Sequence, residues 1–391
     1  MRASRSLYLG LFLLVAVLGV GAYWLTTRSP NDGLQTSVSV ADAMGSDTAG
    51  YERAGTVRPF TFPEDHGPHP GFKNEWWYVT GNLSGPDGTP YGYELTIFRF
   101  AMTPPDSTDG VVSRVSNWRT NQFYMGHFAV SDGGRETFHA FERFSRGGAG
   151  LAGAEADPLR VWLDDWSMQS VGADTFPLRL RANGDDAAID LTVRPGKPKV
   201  LQGNRGLSQK GPGQGNASYY YSYTRLGTKG TLTVGDDTLQ VSGQSWLDRE
   251  WSTSALGPNQ TGWDWFALQL DDDRDLMYYQ LRNNDGAPSR FSEGVLVGPD
   301  GEKTTIARDD VTVEVRDTWT SPDGPHTYPV EWTLRVPDAN LNLRMKALFP
   351  NQELDNVSVR YWEGAVRVSG SHTGTGYVEM TGYGESDAPG S

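Results

Sequence analysis

The feature that most constrains the fold of this chain is a long succession of short, strand-like segments. Each is rich in aromatic and β-branched residues and is followed by Gly, Pro, Asp or Asn, a pattern typical of β-strands joined by turns. We find no segment with the apolar spacing of an amphipathic helix. The predicted strands form two series. The first series is 75–83, 91–100, 121–131, 135–144, 159–168, 176–183, 187–194, 219–226, 229–234 and 238–247, and the second is 262–270, 275–282, 292–298, 311–319, 328–336, 341–349, 360–370 and 374–383.

The two series resemble each other. The first opens with W-W-Y-V-T-G-N-L followed by E-L-T-I-F-R, and the second with W-D-W-F-A-L-Q-L followed by M-Y-Y-Q-L-R. About eight strands in each half is the number that a small closed antiparallel barrel requires, although a pair of β-sandwiches would show the same periodicity. The sequence therefore predicts an all-β fold of two consecutive antiparallel β-barrels, copied from one unit and packed against each other. We expect the two domains at residues 56–251 and 252–386.

The N-terminal segment has the pattern of a targeting sequence. Arg2 and Arg5 precede the apolar run of residues 7–25, which is typical of a secretory signal or a signal anchor. The run is about long enough to span a bilayer, while Val20-Gly21-Ala22 offers small residues for cleavage. We expect residues 1–29 to be a signal peptide or membrane anchor and residues 30–55 to be a flexible linker. The protein is then exported, periplasmic or extracellular, and either released or held at the inner membrane by residues 7–25.

Composition excludes several classes of function. A formal net charge of −14 argues against a nucleic-acid partner, because phosphate binding requires clustered Lys and Arg. The absence of cysteine excludes disulfides, thiolate metal ligands and a Cys nucleophile. The usual hydrolase signatures are also missing, and we expect no cofactor.

Two acidic or histidine-containing loops could suggest a metal. His66 and His69 lie three residues apart in D-H-G-P-H, but no further ligands follow at a diagnostic spacing. We expect a rigid loop over the barrel mouth, with His66 capping backbone groups. The acidic run 271–275 lacks the Gly and the final Glu of a calcium loop and is expected to be a solvated hairpin tip. No metal site is predicted.

Residues 242–252, S-G-Q-S-W-L-D-R-E-W-S, are rich in both rings and charges. In an extended strand, alternate side chains point to opposite faces. Trp246, Asp248 and Glu250 would share one face, and Leu247, Arg249 and Trp251 the other. Neither face is typical of a core or of solvent-exposed surface, so a partner domain is expected to cover the strand. One interpretation is a structural lock in which Arg249 pairs with the second barrel, and the other is a catalytic or binding site.

Three segments resemble a known family. F-P-E-D-H-G-P-H-P-G-F-K-N-E-W-W-Y-V-T-G-N-L at 62–83, G-Q-S-W-L-D-R-E-W at 243–251 and G-W-D-W-F-A-L-Q-L at 262–270 are similar to segments of the carotenoid 1,2-hydratase and AttH-like family. The resemblance extends from about residue 56 to 384. It implies two lipocalin-like barrels, an exported or membrane-tethered protein, and an apolar ligand of the isoprenoid or lipid type.

The hydratase chemistry of that family defines which residues to look for. Adding water to an unactivated C=C needs an acid kept protonated by burial, rings that stabilise a cation, and a polar group that holds water. A Trp in E-W-W-Y could equally plug the base of the barrel. The catalytic candidates are Asp248, Glu250, Arg249 as charge partner, and Tyr279; the candidate ligand-binding residues are Trp76, Tyr78, Trp246, Trp251, Trp263, Trp265 and Tyr278.

The resemblance also shows a departure. In the family's hydratases a His and a Trp near the junction cooperate with a Tyr and an Asp about two dozen residues later. The matching positions here hold Arg249, Trp251, Tyr278 and Gln280, so that the His and the Asp are replaced. This departure favours a non-enzymatic carrier of a hydrophobic molecule or lipid, serving a transporter or envelope partner. The alternative is a carotenoid 1,2-hydratase-type enzyme with Asp248 or Glu250 as proton donor.

Overall fold

The computed structural model describes residues 48–105, 120–254, 256–257 and 259–383. The predicted leader at 1–29 and residues 30–47 of the predicted linker lie outside the described residues. Within the described ranges, none of the helices has the length and apolar character needed to cross a membrane.

The described chain is almost entirely β-structure in two antiparallel sheets. The first sheet consists of β1 (Asn74–Ser84), β2 (Pro90–Ala101), β3 (Gln122–Asp132), β4 (Thr137–Arg146), β5 (Ala152–Ala156), β6 (Leu159–Leu163), β7 (Trp166–Ser170), β8 (Leu178–Asn183), β9 (Ala187–Pro195), β10 (Val200–Leu201), β11 (Leu207–Gln209), β12 (Ala217–Val234) and β13 (Asp237–Ser252). The second sheet consists of β14 (Gln260–Leu270), β15 (Asp275–Asn283), β16 (Glu293–Val297), β17 (Lys303–Ala307), β18 (Thr312–Thr320), β19 (Thr327–Val336), β20 (Leu341–Ala347), β21 (Glu353–Leu354), β22 (Tyr361–Gly370) and β23 (Gly374–Met380). Three single-turn 3₁₀ helices lie at Glu64–His66, Arg308–Asp310 and Pro337–Ala339.

Both sheets follow the same pattern of connectivity, and the first has two further strands, β6 and β5, at one end. The order in the first is β4-β3-β2-β1-β13-β12-β9-β8-β7-β6-β5, and in the second it is β17-β16-β15-β14-β23-β22-β20-β19-β18. In each, the opening strand pairs with the closing strand, β1 with β13 and β14 with β23. In the first sheet, β6 lies close to β2, β3 and β4 from the opposite end of the order, so the sheet curls into a barrel-like body. The prediction of an all-β fold with two barrel-like units is confirmed.

The hydrophobic core has separate parts inside and between the sheets. Trp77, Val79 and Ile97 belong to the interior of the first sheet, and Trp332 belongs to the interior of the second. A third cluster, which includes Tyr78, joins the outer faces of the two sheets. Because side chains alternate along a strand, neighbouring residues on β1 and β13 enter different clusters. This is why residues 245–252 have no solvent-like face, since that half of β13 is buried on both sides.

Several strand predictions need correction. The segment predicted as one strand at 159–168 is β6 and β7, which are separated by a tight turn with Asp164 at φ 55°. Conversely, the predicted strands 219–226 and 229–234 form one strand, β12, with an irregularity between Tyr223 and Leu226. The short strands β5, β10, β11, β17 and β21 were not predicted, because two to five residues give too little periodicity to detect.

Candidate active site between the two sheets

A cavity of about 110 Å³ lies between the outer faces of the two sheets, and we call it the interface cavity. It combines five carboxyl groups with many rings. The lining carboxyl groups are Glu94, Asp248, Glu250, Glu363 and Glu379, and the lining rings are Trp76, Tyr78, Phe98, Tyr220, Trp263, Trp265, Tyr279 and Tyr361.

Strand register in the first sheet assembles one wall. Asp248 on β13 lies directly between Tyr78 on β1 and Ser222 on β12. One row along, Glu250 lies between Trp76 and Tyr220 in the same way. Side chains at directly opposite positions share a face and lie about 5 Å apart. The wall is therefore a grid of acids and rings fixed by backbone hydrogen bonds.

The second sheet supplies the facing wall by the same rule. Trp265 on β14 lies opposite Tyr279 on β15 and Glu379 on β23. Glu379 in turn lies opposite Glu363 on β22. Two carboxyl groups at opposite positions repel each other when both are ionised. This wall therefore favours protonation of at least one of them.

Asp248 is fully buried and surrounded by neutral hydrogen-bond donors. Ser222 Oγ donates to its Oδ1 at 2.5 Å, and Trp246 Nε1 donates to the same oxygen at 2.7 Å. The Tyr220 hydroxyl donates to Oδ2. Burial raises the pKa of Asp248 to about 7, although these three hydrogen bonds oppose the shift. Asp248 can thus exchange a proton near neutral pH.

Three of the four glutamates that line the cavity have raised pKa values, which favours their protonated form. Burial, then the charge of Glu94, raises the pKa of Glu379 to about 8. Burial, then the charges of Glu94 and Glu379, raises the pKa of Glu363 well above its ordinary value, and burial also raises that of Glu94. The Tyr78 hydroxyl donates to Glu363 Oε1 at 2.5 Å, while Oε2 of Glu363 and Oε2 of Glu94 are buried and have no hydrogen-bond partner among the described residues. Neither oxygen is held by a donor, so either can carry the proton of its acid.

The fifth carboxyl group has a cationic partner. Lys210 Nζ lies 3.5 Å from Glu250 Oε1 and 3.8 Å from the centroid of the Tyr279 ring. Lys210 is half-buried, as are Trp76, Leu256, Trp263 and Glu379, whereas the other four acids are buried. We infer that these half-buried residues form the mouth of the cavity and the buried acids its floor.

The aromatic rings are suited to hold a carbocation. Tyr78 packs edge-on against Trp265 at 5.2 Å, and Trp246 packs edge-on against Trp265 at 6.2 Å. Trp263 Nε1 donates to Glu379 Oε1 at 3.1 Å, which fixes an indole beside an acid. Ring faces attract positive charge, most strongly where water is excluded. The cavity thus places proton donors next to groups that stabilise the cation a donated proton would create.

A family model described as AttH-like matches residues 53–383. The chain belongs to the AttH-like family. The crystal structure of an AttH protein from Nitrosomonas europaea is similar with a TM-score of 0.75 and 32% identity, covering 85% of this chain and 99% of that one.

Two further relatives carry names of enzymes. Kievitone hydratase from Nectria haematococca has a TM-score of 0.63 at 17% identity, with 86% of this chain and 97% of that one covered, which shows a shared fold. Dehydratase asqC from Emericella nidulans is 23% identical over 195 residues, 47% of this chain and 53% of that protein. The AttH-like chain therefore spans about half the length of the curated relative it matches.

The structure brings most of the predicted site residues of this AttH-like protein together. The predicted residues that line the interface cavity are Asp248, Glu250, Tyr279, Trp76, Tyr78, Trp263 and Trp265. Trp246 lies against them and donates to Asp248. These residues come from both sheets.

Three predicted residues lie elsewhere. Arg249 faces the interior of the first sheet and pairs with Glu75, so the predicted pairing with the second barrel is wrong. Trp251 shares that interior and stacks on His69 at 3.8 Å. Tyr278 belongs to the core of the second sheet. Neither Arg249 nor Gln280, the two positions that depart from the hydratase pattern, is among the described residues that line the interface cavity, which has acids of its own.

The histidine loop also differs from expectation. The His66 ring bonds to the Tyr221 hydroxyl at 2.6 Å rather than to a backbone group. His69 lies between Asp65 and Glu75, at 3.0 and 3.3 Å. Across the described ranges, the His, Asp and Glu side chains form no group suited to hold a metal ion. Of the acidic run at 271–275, the first three residues are exposed, but Asp275 is buried and pairs with Lys197 at 2.8 Å.

Sequence reasoning missed Glu94, Glu363 and Glu379. Each is a lone acid between apolar or aromatic neighbours in a strand, as in Y-E-L, W-E-G and V-E-M. A carboxyl group in a strand that is otherwise apolar on both faces is the signal that could have found them. Tyr361 and Tyr220 were missed because tyrosines are common in the buried strands of this chain.

Proposed function

We propose that this AttH-like protein is a hydro-lyase that adds water to, or removes water from, a carbon–carbon bond of an apolar substrate in the interface cavity. One observation carries the proposal. Buried carboxylic acids whose pKa values are raised towards or above neutrality line an aromatic cavity, and no arginine lies among the described lining residues to force them into the ionised form.

In the hydration direction Glu363 gives its proton to one alkene carbon, and the π electrons form the new C–H bond. The positive charge left on the other carbon lies against the rings of Tyr78 and Trp265. Water then attacks that carbon and loses one proton to the Asp248 carboxylate. Dehydration is the reverse, in which Asp248 protonates the leaving hydroxyl and Glu363 takes the proton from carbon.

The hydrogen bonds that each carboxyl group already makes indicate which acid donates its proton to carbon. Glu363 Oε2 has no hydrogen-bond partner in the part of the chain that the structure describes, whereas both oxygens of Asp248 already accept hydrogen bonds. Glu250 is paired with Lys210. We therefore assign the donor role to Glu363 rather than to Asp248 or Glu250, which the sequence had suggested.

The names of the similar proteins, a hydratase and a dehydratase, favour this reaction class over the carrier that the sequence first suggested. A carrier gives no role to buried, protonated acids, which cost folding free energy when they ionise. The cavity is too small to enclose a whole carotenoid. A volume of about 110 Å³ is smaller than the roughly 150 Å³ cavity that takes up benzene in another protein. We propose that only the reacting end of an isoprenoid-like molecule enters, past Trp76 and Leu256.

The test is an assay in heavy-oxygen water with a panel of acyclic isoprenoid alkenes, including acyclic carotenoids, and tertiary alcohols. We expect product that has gained one labelled oxygen or lost one water. Glu363→Gln should lower kcat by roughly 10²–10⁴-fold while binding is retained. The matched control is Glu353→Gln, which changes a buried acid that pairs with Arg360 outside the cavity, and it should leave kcat within a few-fold.

Two results would overturn the assignment. Binding of the panel without turnover would make the protein a carrier. Full activity in both Glu363→Gln and Asp248→Asn would remove these acids from the chemistry.

We also propose that the folded body is exported. The support is the apolar run of residues 7–25 after two arginines, a segment outside the described residues. Fusing residues 1–55 to a reporter that works only outside the cytoplasm should give an active reporter, and an inactive one would place the protein inside the cell.

A further inference from the structure

His127 is a buried titratable residue that the proposed reaction does not use. It lies on β3, has no exposed surface and does not line the interface cavity. Its ring bonds on both sides, with Nδ1 at 2.7 Å from the Tyr361 hydroxyl and Nε2 at 3.0 Å from Glu142 Oε1. A neutral imidazole bonded at both nitrogens can accept a proton at one and release a proton from the other.

The inner end of this chain of contacts reaches the cavity acids. The Tyr361 hydroxyl lies 3.5 Å from Glu94 Oε1 and also interacts with the carboxyl group of Glu363. Thr96 Oγ1 donates to the same Glu94 oxygen at 2.6 Å, which fixes that carboxyl group. A hydroxyl that touches both acids can pass a proton to either one.

The outer end reaches solvent. Glu142 on β4 is partly exposed and accepts a hydrogen bond from Ser358 Oγ at 2.6 Å, where Ser358 is itself exposed. Burial opposes ionisation of Glu142, but hydrogen bonds from His127 and Ser358 outweigh it and lower its pKa. Glu142 is thus an ionised group at the surface that can collect a proton from water.

We propose that Glu142, His127 and Tyr361 form a proton relay from solvent to the Glu94–Glu363 pair. In the tautomer that carries its proton on Nδ1, His127 has a lone pair on Nε2; Glu142 takes a proton from water and passes it to that nitrogen. His127 then releases its Nδ1 proton to the Tyr361 oxygen, and Tyr361 gives its own hydroxyl proton to Glu94 or Glu363. One proton enters at the surface and one arrives at the acid pair. The imidazole is left as the Nε2–H tautomer, which is the form that donates to ionised Glu142, and it returns to the Nδ1–H form when the ring turns.

The relay answers a need of the reaction, and in that respect it rests on the proposed function. In hydration Glu363 loses a proton to carbon while Asp248 gains one from water. The next turnover requires a proton back on Glu363 and one removed from Asp248. A route through Tyr361 resupplies Glu363 from behind, without crossing a cavity that substrate or product fills.

The competing interpretation is purely structural. His127 and Glu142 lie on the first sheet, Tyr361 lies on β22 of the second sheet, and Ser358 precedes β22. On this interpretation, the same contacts serve only to hold the two sheets together. The two interpretations differ in one property. A relay moves protons, whereas a lock needs only the hydrogen bonds.

The experiment measures hydrogen–deuterium exchange of the buried carboxyl groups by infrared spectroscopy, with no substrate present. Protonated carboxyl groups have a C=O stretch apart from that of carboxylates, and it shifts on deuteration; Glu94→Gln and Glu363→Gln assign the bands. After rapid mixing into D₂O, we expect exchange to be slower by about tenfold or more in His127→Gln. Glutamine can keep both hydrogen bonds but does not relay a proton. Glu142→Gln, nearer the surface and less prone to misfold, should slow exchange in the same direction.

The matched control is His139→Gln, which changes a histidine on β4 that is paired with the exposed Asp186, and this variant should exchange at the wild-type rate. Wild-type exchange rates in both folded relay variants would show that the contacts are only a structural lock. Absence of an infrared band from protonated carboxyl groups would show that there is no proton to relay. Either result overturns the proposal. Because the readout needs no substrate, slowed exchange in a protein without turnover would uphold the relay while refuting the hydro-lyase.

Discussion

Glu75 and Asp248 are both fully buried carboxyl groups on the paired strands β1 and β13, but they face opposite sides. Glu75 points into the first sheet, where Arg99 and Arg249 both bond to it. Burial alone would raise the pKa of Glu75, yet the two guanidinium groups hold it well below its ordinary value. Asp248 points into the interface cavity among neutral donors, and its pKa is raised to about 7.

The difference teaches that burial does not by itself decide the state of an acid. A buried charge is tolerated when a cation neutralises it and the remaining oxygens are hydrogen-bonded. Without the cation, the same burial favours the proton. One side of the strand pair therefore holds a permanent ion pair, and the other side holds an acid that can take part in chemistry.

The largest expected effect is on the ion-paired side. Arg249→Met leaves Glu75 buried with one guanidinium instead of two and should cost about 3–5 kcal/mol of unfolding free energy, measured by urea denaturation at neutral pH. The control Arg179→Met changes a pair with Asp190 in which both side chains are more than a third exposed, and it should cost less than about 1 kcal/mol. Equal losses in the two variants would contradict the comparison.

The next effect is an opposite response to pH. The folded state keeps a proton on Asp248 up to about pH 7, whereas the unfolded chain loses it near 3.8. The stability from that proton is present below about pH 4 and is lost as pH rises through 7, a change of roughly 4 kcal/mol. Asp248→Asn lacks this loss, so its stability relative to wild type should rise between about pH 4 and pH 9.

Glu75→Gln should show the reverse trend. The depressed pKa of Glu75 contributes stability above its ordinary titration range, and this is lost as pH falls. The variant should therefore gain stability relative to wild type as the solution becomes more acidic. Parallel slopes in denaturation series of Asp248→Asn and Glu75→Gln would show that the two acids have the same environment.

The smallest expected effect is on the pKa of Asp248, and it compares two neighbouring residues of β12. Tyr220 donates to Asp248, and Tyr221, the next residue, faces the other way and bonds to His66. Tyr220→Phe should raise the pKa of Asp248 by about one unit, because a hydrogen bond to a charged group is worth roughly 1.5–3 kcal/mol and is only partly replaced. Tyr221→Phe should leave the pKa of Asp248 unchanged. Titration of the Asp248 carboxyl band by infrared spectroscopy measures both.

Local periodicity predicted one half of the site. The alternation around 246–251 correctly separated Asp248 and Glu250 from Arg249 and Trp251, because facing depends only on strand geometry. It did not predict the partner of Arg249, since Glu75 lies far away in the sequence. The acids of the second sheet were missed for a similar reason. Glu363 and Glu379 resemble solvent-facing acids until the packing of one sheet on the other covers that face.

The central claim is that the interface cavity keeps carboxylic acids protonated at neutral pH. An infrared titration of the folded protein from about pH 5 to pH 10 tests it directly. We expect protonated-carboxyl absorption that persists at neutral pH, with midpoints near 7 for Asp248 and near 8 for Glu379. It should diminish in Asp248→Asn and Glu379→Gln but not in Glu75→Gln. Titration of every carboxyl group below about pH 5 would contradict the account.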